Sequence, residues 1–256
     1  MQQVIATAAE AILLSTGDEL ISLYTRTALT LNAFDVTAQA YAARTDNFQL
    51  STTQKIPAQY RLPIEIDVIL HKHELEDRYR NAVLQSTCED FVIRMVSVID
   101  AAFEDIFDVA LVALEPNLPE NRRVSKIRGA WGSDDTGRTE LARYLIDKAE
   151  LRTPPAKQST VDMVFDRYCE IREIRNALVH NGGELGLKHR ARLIALRERL
   201  PAALQAGSLA DAKFLSGDQV RILLNEVVLL RNWAYTTVLG YLRDAIHYSA
   251  GRGKGP

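Results

Sequence analysis

Apolar residues recur at three- and four-residue spacings through most of this sequence, and this periodicity restricts its fold more than any other feature. The clearest case lies within residues 73–114, where one wide apolar face contains Phe91, Met95, Val98, Ile99, Ala102, Ile106, Val109, Ala110 and Ala113. A helix with such a face is stable only when that face is buried. Similar periods near residues 160–180 and 216–248 predict two further core helices, so we expect an all-α bundle.

Capping residues predict where the main helices begin. Side-chain oxygens that can accept a hydrogen bond from a first helical turn occur at three candidate starts: Ser86 or Thr87, Ser159 or Thr160, and Ser216 with Gln219 three residues later. The last of these predicts a final helix that continues to about Tyr248.

A polar stretch separates the beginning of the chain from the rest. The apolar spacing over residues 18–43 predicts a first helix, and residues 44–59 after it are mostly polar. In residues 62–70 apolar and acidic residues alternate, which is typical of a strand or of an extended lead-in. We therefore expect a helical extension over residues 1–62, a helical domain over 63–250 and a disordered glycine-rich tail over 251–256.

Composition and charge exclude several classes of protein. With 47% hydrophobic and 25% charged residues, the chain is not disordered over most of its length. A net charge of −2 argues against a broad basic surface for duplex nucleic acid, but it permits a local site for one phosphate or one RNA strand. No apolar run approaches the roughly 18–20 residues that span a bilayer, so we expect no membrane association.

The cysteines and the first residues indicate a reducing, cytoplasmic setting. Cys88 and Cys169 are the only two cysteines, and both lie inside apolar helical patterns, where buried thiols are expected. The segment after Met1 is not basic, so no signal peptide is predicted.

Residues 170–183 contain the pattern that most clearly indicates chemistry. Arg175, Asn176 and His180 stand as R-N-x-x-x-H at the end of an amphipathic helix that a Gly-Gly pair terminates. Asn176 and His180 are four residues apart and share a helix face. Arg175 and His180 are five residues apart, about 140° around an unbroken helix. They converge only if the helix frays or turns at Gly182, or if a second copy supplies one of them.

An arginine beside a histidine suits the cleavage of a phosphodiester bond in RNA. Arg175 offers a planar, permanently charged fork to a phosphate oxygen. An imidazole such as that of His180 can move the proton of a 2′-hydroxyl or of a leaving oxygen, while Asn176 can orient either partner. This arrangement requires no metal. The alternatives are a helix C-terminal cap and a surface salt bridge from Arg175 to Glu170, Glu173 or a neighbouring helix.

The run R-N-A-L-V-H-N-G-G at residues 175–183 resembles the signature of HEPN domains. Upstream, a long apolar helix that ends at residues 101–107 is similar to the layout of HEPN domains associated with RNA-ligase and phosphoesterase neighbours. The resemblance covers roughly residues 75–250, and residues 1–62 match no family that we can name. It implies a HEPN-like helical bundle that dimerises, so that the motifs of two protomers form one cleft.

The same resemblance implies a function. Many HEPN domains are metal-independent endoribonucleases of toxin–antitoxin, abortive-infection and CRISPR systems. Arg175 would then bind phosphate, His180 would transfer a proton or stabilise charge, and Asn176 would support both. The expected partners are an RNA substrate, a second copy of the chain and an antitoxin or defence protein, with no cofactor. Because some HEPN domains are non-catalytic, the alternative is a helical module that binds a partner protein or a nucleotide.

A basic run follows the motif, and it permits two interpretations. It consists of Lys188, His189, Arg190, Arg192, Arg197 and Arg199. It is either a solvated helix face or a contact for the RNA backbone beside the active cleft. On the second interpretation, the basic residues nearest the motif and therefore the candidate RNA contacts are Arg172, Lys188, Arg190 and Arg192.

A possible metal pair occurs at His71 and His73. Two histidines at this spacing converge only on an extended segment, and no third ligand is evident nearby, so we expect a surface loop.

Overall fold

A computed structural model describes residues 1–133, 137–202 and 220–251 of the chain. Regular structure in these ranges is almost entirely helical, which confirms the predicted all-α class. The helices are α1 (Gln3–Ala42), α2 (Lys72–Arg80), α3 (Ala82–Leu114), α4 (Glu120–Arg128), α5 (Glu140–Asp147), α6 (Val161–His180), α7 (Leu187–Glu198), α8 (Leu224–Asn232) and α9 (Tyr241–Gly251), with a π-helical segment, Trp233–Gly240, between α8 and α9.

α3 lies at the centre of the molecule and contacts α1, α2, α4, α5, α6 and α8. The predicted apolar face supplies its buried side chains, among them Phe91, Met95, Ile99 and Ile106. The helix begins at Ala82, so the predicted caps Ser86 and Thr87 are wrong. Both hydroxyls instead donate to the carbonyl of Val83 inside the helix.

α1 is longer than the sequence predicts, because the small and apolar residues before position 18 continue its buried face. That face includes Ile5, Ala9, Leu13, Leu20 and Leu23, which belong to the same hydrophobic core as the side chains of α3 and α6. The division of the chain at residue 62 into an extension and a domain stays a prediction.

The alternating stretch at residues 62–70 is a strand only at its end. Ile64–Ile66 is a 3-10 turn that follows Pro63, and β2 comprises Ile69–His71. β2 pairs antiparallel with β1, Gln49–Ser51, and Ala58–Tyr60 forms another 3-10 turn between them. The apolar side chains of residues 64–69 are exposed, so no buried sheet face holds a longer strand.

The end of the chain is less regular than a single helix. The predicted cap at Ser216 lies outside the described residues, and the described part of the final helical region begins at Leu224. Most of the predicted stripe stays buried through α8, the π-helical segment and α9, namely Val227, Leu230, Ala234, Val238, Leu239, Leu242 and Ile246. Its members Leu223, Leu224 and Val228, which precede the π-helical segment, are exposed instead.

Gly251 ends α9, and the rest of the predicted tail, residues 252–256, lies outside the described residues. Within the described ranges, no helix combines the length and apolar character needed to cross a bilayer.

Candidate functional site

α6 carries the predicted motif, and its ends are fixed by local sequence signals. The Thr160 hydroxyl accepts a hydrogen bond from the Met163 backbone at 3.2 Å, and Asp162 in the first turn favours the helix N-terminus. At the other end Gly182 and Gly183 take positive φ angles of 58° and 88°, which glycine adopts without strain. The predicted start at Thr160 and the predicted stop at the glycine pair are both confirmed.

The three motif residues lie in the last turns of α6, where the helix continues unbroken to His180. Arg175 Nη1 donates to Asn176 Oδ1 at 3.1 Å, so the amide holds the guanidinium. His180 is exposed at the end of the helix. Because the helix does not fray before His180, Arg175 and His180 remain on different sides of it within one chain.

Arg175 keeps its charge unpaired within the part of the chain that the structure describes. No carboxylate there forms an ion pair with it, and its Nε atom is buried without a hydrogen-bond partner. The alternative of a salt bridge from Arg175 to Glu173 is wrong, since Glu173 pairs with His189 and Arg192 instead. The neutral contact with Asn176 leaves the cation available to an anionic ligand.

A cleft of about 310 Å³ lies between α6, α7 and the residues Trp131, Gly132, Ser133, Gly137 and Thr139, and we call it the α6–α7 cleft. α6 contributes residues at helical spacing to one wall, namely Cys169, Arg172, Glu173 and Asn176. α7 and the residue after it supply the opposite wall, Arg192, Ala195, Leu196 and Arg199. Asn176 is the motif residue among the described lining residues, because Arg175 and His180 do not line the cleft.

A buried polar network supports the wall of the cleft at Arg172. Arg172 Nε and the Tyr168 hydroxyl both donate to Asp100 Oδ1 of α3, each at 2.7 Å. The Arg172 guanidinium also lies 3.7 Å from the ring centroid of Trp131, whose Nε1 donates to Glu104 at 2.8 Å. Burial, followed by the Asp100 charge, raises the pKa of Tyr168 well above its usual value, so the phenol stays a donor.

Two buried carboxylates of α6, those of Asp166 and Glu173, face basic side chains of α7 and of the residue after it. Arg199 Nε lies 3.1 Å from Asp166 Oδ2, and Glu173 is shared by His189 Nδ1 and Arg192 Nη1 at 2.8 and 2.9 Å. Burial raises the pKa of Asp166 to about 6, although Arg199 opposes the rise. Because a buried carboxylate is stable only with a partner, these two acids explain the positions of His189 and Arg192 on α7 and of Arg199 after it.

The candidate RNA contacts divide into two groups. Arg172 and Arg192 line the α6–α7 cleft, while Lys188 and Arg190 do not. Lys188 is exposed, and Arg190 Nε donates to the Leu185 carbonyl at 2.9 Å. The basic run is therefore neither wholly a solvated face nor wholly a wall of the cleft.

Other residues at the site carried weaker sequence signals. Asp100, Glu104 and Asp108 repeat at four-residue spacing beside the buried face of α3 and are partly buried. That pattern could have marked partners for a cation or a hydrogen-bond donor. Trp131 had no such signal, because its packing against Arg172 depends on two segments far apart in the sequence.

The remaining candidates have structural roles. The expected surface loop at His71 and His73 is wrong, because His71 ends β2 and His73 lies in the first turn of α2. The backbone nitrogen of His71 donates to Glu74, and His73 is exposed. Among the described residues, no group of three or more His, Cys, Asp or Glu side chains is arranged to hold a metal ion. Burial raises the pKa of Cys88 to about 11 and that of Cys169 to about 12, which keeps both thiols protonated.

Comparison of the chain with models of protein families, with curated proteins and with solved structures finds no match. Function must therefore be inferred from the side chains and their geometry.

Proposed function

We propose that this chain is an endoribonuclease of the HEPN type that needs no metal ion, with Arg175, Asn176 and His180 as its active-site residues. The observation that carries the proposal is the state of Arg175. In the described part of the chain its guanidinium has no carboxylate partner, and Asn176 holds it on the helix that ends in the exposed His180. A cation held in this way is suited to an anionic substrate.

These groups are suited to attack by the substrate's own 2′-hydroxyl. The 2′-oxygen bonds to phosphorus, the bond from phosphorus to the 5′-oxygen breaks, and that oxygen leaves with a proton. His180 assists the proton transfers, typically worth about 10²–10⁴-fold in rate. Arg175 neutralises the negative charge that develops on the phosphate oxygens. The products are a 2′,3′-cyclic phosphate and a 5′-hydroxyl.

The active unit in this proposal is a homodimer. The support for a dimer is that α6 is unbroken, so Arg175 and His180 lie on different sides of the helix. One protomer alone therefore does not bring the two side chains together. In a two-fold interface the same patch meets itself, so two α6 ends brought together supply Arg175 from one protomer and His180 from the other.

The biological setting follows from the resemblance at residues 175–183. HEPN ribonucleases of this kind act as toxins or anti-phage effectors, and an antitoxin or another defence protein controls them. We place the activity in the cytoplasm, with RNA as the substrate and with no cofactor.

The proposal is tested by incubating the purified protein with total RNA in excess chelator. Arg175→Ala and His180→Ala should each lose cleavage, whereas Arg78→Ala and His73→Ala should keep it. The two controls remove an exposed arginine and an exposed histidine from α2, away from the motif. Equal RNA cleavage by all four variants would rule out the motif as the active site.

The alternative function is a non-catalytic helical module that binds a partner protein or a nucleotide. A non-catalytic role is favoured if the chain acts as a monomer, because one copy of α6 does not bring Arg175 and His180 together. An intact, folded chain that cuts no RNA in the assay above supports this alternative.

A further inference from the structure

The α6–α7 cleft has the size of a site for one small group. Its volume of about 310 Å³ falls at the lower end of the range of roughly 300–1,000 Å³ for small-molecule sites. A cleft this small, between two helices, admits one unstacked nucleotide but not a stack of base pairs. The net charge of −2 likewise provides no broad basic surface for a duplex.

Arginines dominate the charge of the described lining. Arg172, Arg192 and Arg199 face the cleft, and Glu173 is already shared by His189 and Arg192. Arg172 and Arg199 each pair with a carboxylate through Nε, and within the described residues their terminal nitrogens make no hydrogen bond. Arg192 pairs with Glu173 through Nη1 alone, and its side chain is about half exposed. Arg199 Nη1 is buried and has no hydrogen-bond partner among the described residues. Guanidinium N–H groups of this kind donate charge-assisted hydrogen bonds, and a phosphate oxygen is a well-matched acceptor for them.

Arg172 and Trp131 form a platform on the opposite side. The guanidinium lies on the indole ring at 3.7 Å, and the ring is fixed by its hydrogen bond to Glu104. Proteins that recognise single-stranded RNA stack unpaired bases on guanidinium planes and aromatic rings of this kind. Ala195 and Leu196 add apolar surface on the α7 wall.

The cleft and the motif are continuous along α6. Asn176 lines the cleft and accepts the hydrogen bond of Arg175, and His180 follows one turn later on the same face. Four residues of helix rise by about 6 Å. A strand that leaves the cleft along α6 therefore reaches His180 within about one nucleotide.

We propose that the α6–α7 cleft holds one unpaired nucleotide of the substrate strand beside the scissile bond, so that the substrate is single-stranded RNA. The base stacks on the Arg172–Trp131 platform, and its phosphate binds Arg192 and Arg199. The role of the cleft beside a scissile bond rests on the ribonuclease proposal, but the binding of RNA in the cleft can be measured without cleavage.

The test uses a fluorescein-labelled oligoribonucleotide and the full chain with His180→Ala, in excess chelator, followed by fluorescence anisotropy. The single strand should bind at least about tenfold tighter than the same sequence in a fully paired duplex. Adding Arg192→Gln or Arg199→Gln should weaken binding about tenfold and reduce the slope of log affinity against log salt by about 0.7. Arg78→Gln removes an exposed arginine of α2 that does not line the cleft, and it is the matched control. It should leave both the affinity at fixed salt and this slope unchanged.

A second readout locates the strand. In a Trp233→Phe background Trp131 is the remaining tryptophan, and the single strand should quench its fluorescence in proportion to binding. Equal affinity for the duplex, or unchanged affinity in both arginine variants that still melt cooperatively, would overturn the inference. Cleft binding without RNA cleavage by the wild type would instead uphold the binding site and reject the ribonuclease.

Discussion

At the scale of single residues, Arg175 differs from Arg172 three positions earlier on the same helix. Asp100 pairs with Arg172, whereas a neutral amide holds Arg175. Because Arg175 pairs with no carboxylate among the residues that the structure describes, its removal should affect chemistry far more than folding. We expect Arg175→Ala to reduce RNA cleavage by about 10²–10³-fold and to leave the melting temperature nearly unchanged. Arg175→Lys should recover only part of the rate, because an ammonium group lacks the bidentate fork.

Single-turnover cleavage and thermal melting of the same preparations check this prediction. Arg172→Ala is the contrasting variant, because it leaves Asp100 without its cation. It should lower the melting temperature as well as the rate. A variant of Arg175 that melts several degrees lower would show that its role is structural.

Asp166 should make stability depend on pH in a defined direction. Burial raises its pKa in the folded protein to about 6, above the unfolded value of about 3.9. The folded state therefore binds the proton more tightly, so stability from this group is present below about pH 4 and is lost as pH rises through about 6. The free energy of unfolding should fall by roughly 3 kcal/mol at most, because each unit of difference between the folded and unfolded pKa is worth about 1.4 kcal/mol.

The variant Asp166→Asn removes this titration while retaining an oxygen for Arg199. The free energy of unfolding of Asp166→Asn relative to the wild type should rise by about 1–3 kcal/mol between pH 4.5 and 7.5. Urea unfolding across that range measures it. A difference that stays constant with pH would contradict the effect of burial on this carboxyl.

At the scale of elements, α6 was predictable because its signals are local. Thr160 and the glycine pair fix its ends through contacts with residues only a few positions away. The break at Asn81 and the π-helical segment at Trp233–Gly240 were not predicted, since neither a proline nor a glycine cluster marks them. A Cβ on Gly17 of α1 would lie 3.2 Å from the Tyr235 ring, so this segment approaches a helix that is far away in the sequence.

The glycine pair after α6 gives a matched test at this scale. Gly182 and Gly183 both have positive φ, but only at Gly183 would an added Cβ meet another segment, at 3.3 Å from the Val220 carbonyl oxygen. Each alanine should cost roughly 1–2 kcal/mol for the left-handed backbone, and Gly183→Ala should cost more because the contact adds to it. Chemical unfolding compares the two. Equal losses would mean that the Val220 segment moves away freely.

At the scale of the whole molecule, the cleft could not have been predicted from local patterns. Its walls come from α6, α7 and a loop, and the network behind it joins Asp100 to residues about 70 positions later in the chain. Periodicity predicts that these helices pack, but not which side chains meet. The motif residues were predictable because they occupy one helix, whereas the convergence of Arg175 with His180 depends, in the proposed dimer, on a second copy of α6.

The dimer proposal predicts complementation between two inactive variants. In a mixture of Arg175→Ala and His180→Ala, a mixed dimer has one site with Arg175 and His180 both intact, on different protomers. Mixing should restore up to about a quarter of the wild-type activity, since about half of the dimers are mixed and each has one of two sites. Light scattering should show a dimer at tens of micromolar. A strictly monomeric chain, or no restored activity in a mixture that exchanges subunits, would contradict the shared site.

The most direct test of the central claim replaces one ribose of a short single-stranded RNA substrate. The wild-type chain is given the all-ribose strand and the same strand with 2′-deoxyribose at the cleavage position, both in excess chelator. We predict that the first yields a 2′,3′-cyclic phosphate and a 5′-hydroxyl, and that the second is not cut there. Cleavage of the deoxy strand at that position, or a strict need for Mg²⁺, would contradict a mechanism in which Arg175 and His180 assist attack by the 2′-hydroxyl.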